Sequence, residues 1–496
     1  MNKCKENPIP RFEPINRNQV VLAPLDVENL IPLNHPARNI WEFLGRLDLS
    51  RFSLEIKSIE GRAGRNAWDP RLLLAIWLYA YSRGTSSARQ IEQESEYEPG
   101  LRWLTGLQVV NHHTLSDFRV QHGEALRELF AQVLGILSME KLITLERVTV
   151  DGTKVRACVN KKTFRRADKI REHIRLARNH LKHLEEQESE VEKRGRKEAA
   201  RERWAEERVR RLESALAEVE RLQANKKCDK EKPCQASTTD PDARFMHTSD
   251  NGVAPGYNVQ VTTDAQHKLV VDVAVTKEPS DCHELLPALD RMKERLGQYP
   301  KEVLADGDYT TRKSVIGTAE RKVEFYGSWG DTSKNRPVHG THPDYDLKAF
   351  QYDETRDEMI CPQGKHLVYK TTQGRVEDGL TLRVYTARSE DCQGCSKRTL
   401  CTPKNKMEKH GRAVSRPNED PRMQQFREKM SGEEGRAAYK LRSPVAEFPH
   451  AWLKDKLKWV RVRSRGLVKV ATEALWVTLV YNIQRYLALR VVPQAG

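Results

Sequence analysis

Arg147-Val148-Thr149-Val150-Asp151-Gly152-Thr153 is a short β-branched run that delivers an aspartate. Val and Thr suit a pleated, half-buried surface, and the Asp-Gly pair reads as the end of a strand. Glu302-Val303-Leu304-Ala305-Asp306-Gly307-Asp308-Tyr309 repeats the arrangement. A third acid, Glu447, lies in Tyr439-Lys440-Leu441-Arg442…Glu447…Lys454, a stretch with a helical pattern. Any one aspartate after a strand is as readily a turn former; the combination carries the reading. Two carboxylates from strand ends and one from a helix meet the needs of a pair of hard divalent cations. Mg²⁺ takes oxygen ligands and keeps positions open for a substrate phosphate. At helical pitch Glu447 and Lys454 share a face two turns apart, so the glutamate can face metal while the lysine reaches phosphate. Pro444 and Pro449 mark a helix start or a disturbance near the glutamate.

The surrounding pattern divides the chain. Residues 1–60 are a lead containing Pro8, Pro10 and Pro14, ending in helical signals around Asn34-His35-Pro36-Ala37. Residues 61–140 are helical. Trp68-Asp69-Pro70, Ser86-Ser87-Ala88 and His112-His113-Thr114 each start a helix, with Leu72, Leu73, Leu74, Ile76, Trp77 and Tyr79 following the first. Short helices joined by tight turns fit a helix-turn-helix-like DNA-binding module and a plain packing bundle about equally. Residues 144–310 turn to strands (Arg147–Asp151, Tyr257–Thr263, Leu269–Thr276, Glu302–Asp306), with a helix over Ser280–Leu296. Within them, 165–226 is a charged insertion. Ile170, Ile174, Ala177, Leu181, Leu184 and Val191, then Ala205, Val209, Leu212, Leu216 and Val219 beyond Gly195, predict an antiparallel helical hairpin. Its charges read as a solvated face. Residues 311–435 are polar, turn-rich and weakly patterned. Residues 436–490 are helical again, with Leu457, Val460, Leu467, Val470, Leu475, Leu479 and Ile483 as core positions.

Lys and Arg number 85 against 70 Asp and Glu in 496 residues, a net charge of +15 that suits a polyanion partner. The N-terminus lacks the apolar core of an export signal. The apolar stretch from Ala471 to Val492 carries Glu473, Asn482, Gln484, Arg485 and Arg490, so it reads as a buried helix and not a membrane span. Nine cysteines without an export signal favour free thiols or metal over disulfides, in a cytoplasmic, nucleoid-associated protein.

With these residues in hand, the chain resembles the DDE transposases of bacterial insertion sequences, in particular the insertion-sequence-1182 family. Asp151-Gly152-Thr153-Lys154 resembles the first-aspartate block and Ala305-Asp306-Gly307-Asp308-Tyr309 the second. Thr239-Asp240-Pro241-Asp242-Ala243-Arg244 with Gly256-Tyr257-Asn258-Val259-Gln260 is similar to the linker and second strand. Tyr439…Arg442…Glu447…Lys454 is similar to the Tyr-Arg-Glu-Lys signature, and Arg102 to Leu107 with Leu115 to Arg119 resemble the preceding helical domain. Two departures stand out: Asp308 occupies a position where glycine is common, and the gap from Arg442 to Glu447 is one residue longer than the general pattern.

The resemblance implies an α/β, RNase H-like mixed-sheet catalytic core with an N-terminal helical domain, an inserted helical hairpin and a Cys-containing insertion. It implies Asp151, Asp306 and Glu447 as catalytic ligands of two Mg²⁺ ions (or Mn²⁺), with Tyr439, Arg442, Lys454 and Arg119 on DNA. The implied activity is cleavage at the element's inverted repeats and strand transfer into target double-stranded DNA, by a homodimer in a synaptic complex and away from any membrane. A catalytically inactive DNA-binding regulator is the alternative.

Cys361, Cys392, Cys395 and Cys401, which include a Cys-x-x-Cys, fit either a Zn²⁺ ligand set or reduced structural thiols. Cys228 and Cys234 read as incidental, and His112 and His113 as surface or capping residues. Trp452 and Trp459 among Lys454, Lys456, Lys458, Arg461, Arg463 and Arg465 are a candidate DNA surface, with core packing the stronger role for each tryptophan.

Overall fold

A computed structural model describes residues 17–18, 20, 24–54, 56, 58, 66–188, 196–226, 232–248, 252–329, 341–375, 380–402 and 411–491. Pro8, Pro10, Pro14, Val191, Gly195 and Cys228 lie outside the described residues. The fold is mixed α/β. Its main sheet is built from β1 (Arg147–Arg156), β2 (Arg244–His247), β3 (Val253–Asp264), β4 (Val270–Thr276), β5 (Glu302–Ala305) and β6 (Glu324–Gly327). The strand order is β2-β3-β1-β5-β6, with β4 pairing beside β2 on the same edge of β3. β1 runs antiparallel to β3 and parallel to β5, and β5 runs parallel to β6. The register sets Asp151 opposite Val261, Gly152 opposite Gln260 and Lys154 opposite Asn258.

Before the sheet come α1 (Pro36–Leu44), α2 (Pro70–Ser82), α3 (Ala88–Glu94), α4 (Pro99–Thr105), α5 (His112–Gln121) and α6 (Gly123–Met139). Their starts follow the sequence signals. His35 and Asp69 cap α1 and α2 with Pro at the first helical position, Ser87 caps α3 and Asn111 caps α5. His112 pairs with Glu92 at 2.6 Å. The hairpin forms as α7 (Ala167–Glu188) and α8 (Arg196–Ala224), its apolar seam buried through Ile170, Ile174, Ala177, Ala205, Val209, Leu212 and Val219.

The helix expected over Ser280–Leu296 is α9, Leu285–Leu296; residues before it form turns that carry Asp281. The stretch read as weakly patterned is organised. α10 (Arg312–Glu320) leads to β6 of the main sheet, and a separate antiparallel sheet follows. Its strands are β7 (Gln351–Asp353), β8 (Glu358–Ile360), β9 (His366–Arg375), β10 (Leu380–Ala387) and β11 (Ala413–Glu419), in the order β11-β10-β9-β8-β7. α11 (Pro421–Ser431), α12 (Glu433–Lys440), α13 (Arg442–Ala451), a π-helical turn (Trp452–Lys456) and α14 (Leu467–Val491) complete the chain.

α14 ties the molecule together. Trp476 and Tyr481 are buried on it, and the helix packs on α2, α6 and β4. Trp476 Nε1 donates to the Arg119 carbonyl at 3.1 Å, and Asn482 brackets Val270 with one bond to its amide and one to its carbonyl. A helix apolar all round is one buried on every side, and no described helix is long and apolar enough to cross a membrane. One continuous apolar core therefore runs from the N-terminal helices to the sheet. Val460, expected in the core, is 54% exposed in the non-helical link before α14, whereas Trp459 is buried.

Candidate active site

β1 continues past Asp151 to Arg156, so the first aspartate projects from mid-strand and not from a strand end. Asp306 does follow its strand directly, and its carboxylate caps a short 3-10 turn by accepting the Asp308 amide at 2.9 Å. Because β1 and β5 are parallel neighbours, both acids emerge on adjacent strands. Asp306 is half-buried and feels the charge of Asp151; Asp308 is exposed.

The electrostatics of the pair are unequal. Burial pushes the Asp306 carboxyl up, and the Asp151 charge adds to it. Burial also works to raise Asp151, but the His450 imidazole and then the Arg442 guanidinium outweigh it and hold Asp151 below the usual carboxylate range. Both come from α13, which packs on β1 and β3. Arg442 Nη1 stands 3.8 Å from Asp151 Oδ1, and His450 Nε2 stands 3.5 Å from Oδ2. Lys454, half-buried in the π-helical turn, lies within the field of Asp151, and burial lowers its ammonium from the ordinary value.

Behind β1 lies a second polar layer. Lys154 pairs with Asp281 at 3.0 Å. Asp281 also accepts from Asn258 at 2.5 Å and Gln260 at 2.7 Å, and Gln260 accepts from the buried Tyr309 hydroxyl at 2.5 Å. A Cβ on Gly152 would sit 2.7 Å from Asp281 Oδ1 and 2.8 Å from Gln260 Nε2, so this polar layer would have to shift to admit one. Sequence reading overlooked Asp281 and His450. Neither belongs to a local motif, and only the packing of distant elements gives them partners.

Three expectations need correction. Glu447 rides on α13 with Arg442 and His450, but it is exposed and its carboxylate accepts the Ser443 hydroxyl. Among the described residues no group of three or more His, Cys, Asp or Glu side chains is gathered to hold a metal ion, so Asp151, Asp306 and Glu447 form a pair with a flanking third acid. Arg119 is buried, with its guanidinium on the Ser86 carbonyl at 2.8 Å and over the Trp77 ring, which makes it a packing residue here and not a free cation for DNA. Cys361, Cys392, Cys395 and Cys401 do line one cavity of about 40 Å³, yet they too fall short of a gathered metal cluster. The backbone amides of Lys365 and Arg412 each donate to a thiol sulfur there, on Cys361 and Cys392, at 3.3 Å. Tyr439 is half-buried, 6.0 Å from the Arg442 guanidinium, and Lys456 lies over Trp452.

Comparison with known proteins now bears on this geometry. Residues 360–487 match the family model described as a transposase DDE domain, a stretch that takes in Cys361, Cys392, Cys395 and Cys401, α13 and most of α14. Residues 25–121 match a second, described as a transposase domain (DUF772). Together they support a DDE transposase, while Asp151 and Asp306 lie outside both matched stretches. No curated protein matches. Among solved structures, the cryo-EM structure of a piggyBac transposase synaptic complex with hairpin DNA is similar at 10% identity, with a TM-score of 0.31 over 94% of this chain and 74% of that one. A likeness that remote carries no argument.

Proposed function

We propose that this chain is a DDE transposase of the insertion-sequence-1182 type, cutting double-stranded DNA at element ends and joining the freed 3′ ends to target DNA. The observation that carries the reading is the pair Asp151 and Asp306 on adjacent parallel strands, faced by the cations of α13 and its π-helical extension. The main sheet, with β1, β3 and β4 antiparallel and β5 and β6 parallel, supports an RNase H-like core.

The site suits divalent cations. Burial and the Asp151 charge raise the proton affinity of Asp306, and a cation between the two acids would relieve that strain on its charged form. Asp151 and Asp306 would hold such ions, Mg²⁺ or Mn²⁺, with Glu447 able to join by turning away from Ser443. Bound there, the cations would activate the attacking oxygen and stabilise the leaving one. The chain's own part is positional. Arg442 and Lys454 offer positive charge for a scissile phosphate, and the Lys154–Asp281 layer fixes β1 behind it. Water and then a DNA 3′-hydroxyl serve as nucleophiles, so no protein nucleophile is needed. A homodimer in a synaptic complex, acting in the cytoplasm on the nucleoid, goes with this reading.

The alternative, an inactive DNA-binding regulator, draws on the outward-facing Glu447. Incubating the protein with Mg²⁺ and a labelled element end separates the two. Nicked and joined products that disappear in Asp151→Asn support the transposase; DNA binding without any cleavage supports the regulator.

A further inference from the structure

We infer that His450 supplies a nitrogen ligand to a divalent cation that it shares with Asp151, an assignment that rests on the carboxylate reading above. His450 lies on the face of α13 that meets β1, one turn beyond Glu447. Its side chain is only 12% exposed, and among the described residues neither ring nitrogen makes a hydrogen bond of good geometry, Nε2 having only the long contact to Asp151. Buried imidazoles ordinarily make at least one well-formed hydrogen bond, so a ring with only one long contact to a carboxylate is poised for a ligand outside the chain.

The direction of the ring says which ligand. Nε2 faces Asp151 Oδ2 at 3.5 Å, too long for a good hydrogen bond. It is close to the spacing of two donors on one cation, since ligand distances of about 2.1 Å place neighbouring donors about 3.0–3.4 Å apart. The other carboxylate oxygen already faces Arg442, which leaves Oδ2 as the one turned to the imidazole. A cation placed between them would satisfy the orphaned nitrogen and offset the buried negative charge in a single contact. His450 then contributes the donor that the exposed Glu447 does not provide in this arrangement.

A mixed nitrogen and oxygen donor set has a consequence for metal choice. Imidazole suits first-row transition ions, whereas carboxylates alone suit Mg²⁺. His450 therefore tilts the site toward Mn²⁺, and an oxygen donor in its place tilts it back.

The test uses the full-length protein with Mn²⁺ alone and no DNA. Electron spin-echo modulation of the bound ion reads directly coordinated ¹⁴N, and the free-ion signal gives affinity. The wild type should show imidazole ¹⁴N coupling, lost in His450→Ala and His450→Asn, with Mn²⁺ affinity reduced roughly tenfold or more. In cleavage assays His450→Asn should lower the ratio of Mn²⁺-supported to Mg²⁺-supported rate. Wild-type Mn²⁺ without ¹⁴N coupling, or coupling that persists in the folded variants, overturns the assignment. His450→Asn, nearer in shape, serves if the alanine variant does not fold. Asp151→Asn separates the layers: if it binds Mn²⁺ as tightly as wild type, the carboxylate reading itself fails, whatever the imidazole does.

Discussion

The carboxylate site and the cysteine cavity are both clusters of like, metal-competent groups, yet their surroundings differ. Asp151 and Asp306 are charged groups from adjacent strands, with opposed shifts, a nearby guanidinium and an imidazole that makes no hydrogen bond of good geometry. The four cysteines line a small cavity in the second sheet, three of them packed against its apolar cluster of Phe350, Leu367 and Tyr385. Burial, with the neighbouring thiols, holds the Cys401 thiol up, toward its neutral form. The first cluster keeps an electrostatic imbalance that a cation would relieve; the second packs three of its thiols against apolar side chains. Residue type alone does not separate these cases, because the difference lies in charge state and in what stands behind each group.

The largest effect that would break this comparison is on chemistry. Asp151→Asn should lower the DNA cleavage rate by roughly 10³-fold or more, about 4 kcal/mol of transition-state stabilisation, with the fold retained by circular dichroism. Cleavage at wild-type rate would leave the two clusters equally passive. Next comes the support behind β1. Gly152→Ala forces a methyl group against Asp281 and Gln260, and overpacking of this kind destabilises by about 1–3 kcal/mol in denaturant titration. An unchanged midpoint would mean the polar layer gives way without cost.

A smaller and opposite change sharpens the electrostatic contrast. Because the folded Asp306 value is raised above the unfolded one, the folded state holds that proton more tightly. Its contribution to stability is greatest below the unfolded pKa and is lost as pH rises through the folded value. Asp306→Asn should therefore raise the melting temperature of the metal-free protein modestly at neutral pH and remove this part of the decline, while abolishing cleavage. A lower melting temperature would contradict the repulsion inferred for the pair. Smallest of all, Cys401→Ser should cost about 1 kcal/mol, the price of a hydroxyl in an apolar cavity, and leave cleavage intact. Loss of folding there would place a structural cation among the thiols and erase the distinction.

Much of the local structure was legible from the chain. Asp69-Pro70 and Ser87 announced helix starts because caps satisfy orphan amides within one turn. The heptads of the hairpin were legible because a buried seam repeats at fixed spacing. Less could be read where partners are remote. The second sheet, β7 to β11, went unseen because its strands are short or half-exposed and carry little alternation, so pairing itself holds them. The resemblance implied Arg119 as a DNA contact, but α2 and α14 enclose it.

The sequence by itself singled out candidate residues: two acids tied to apolar strands, a third in a helix with Arg and Lys, and an excess of positive charge. Only the tertiary structure decided their alliances. It set Asp306 in the field of Asp151, turned His450 rather than Glu447 toward Asp151, and set Asp281 behind Gly152. The reason is physical. Side-chain identity and local propensity are written residue by residue, whereas burial, charge coupling and donor spacing exist only once distant strands and helices have packed.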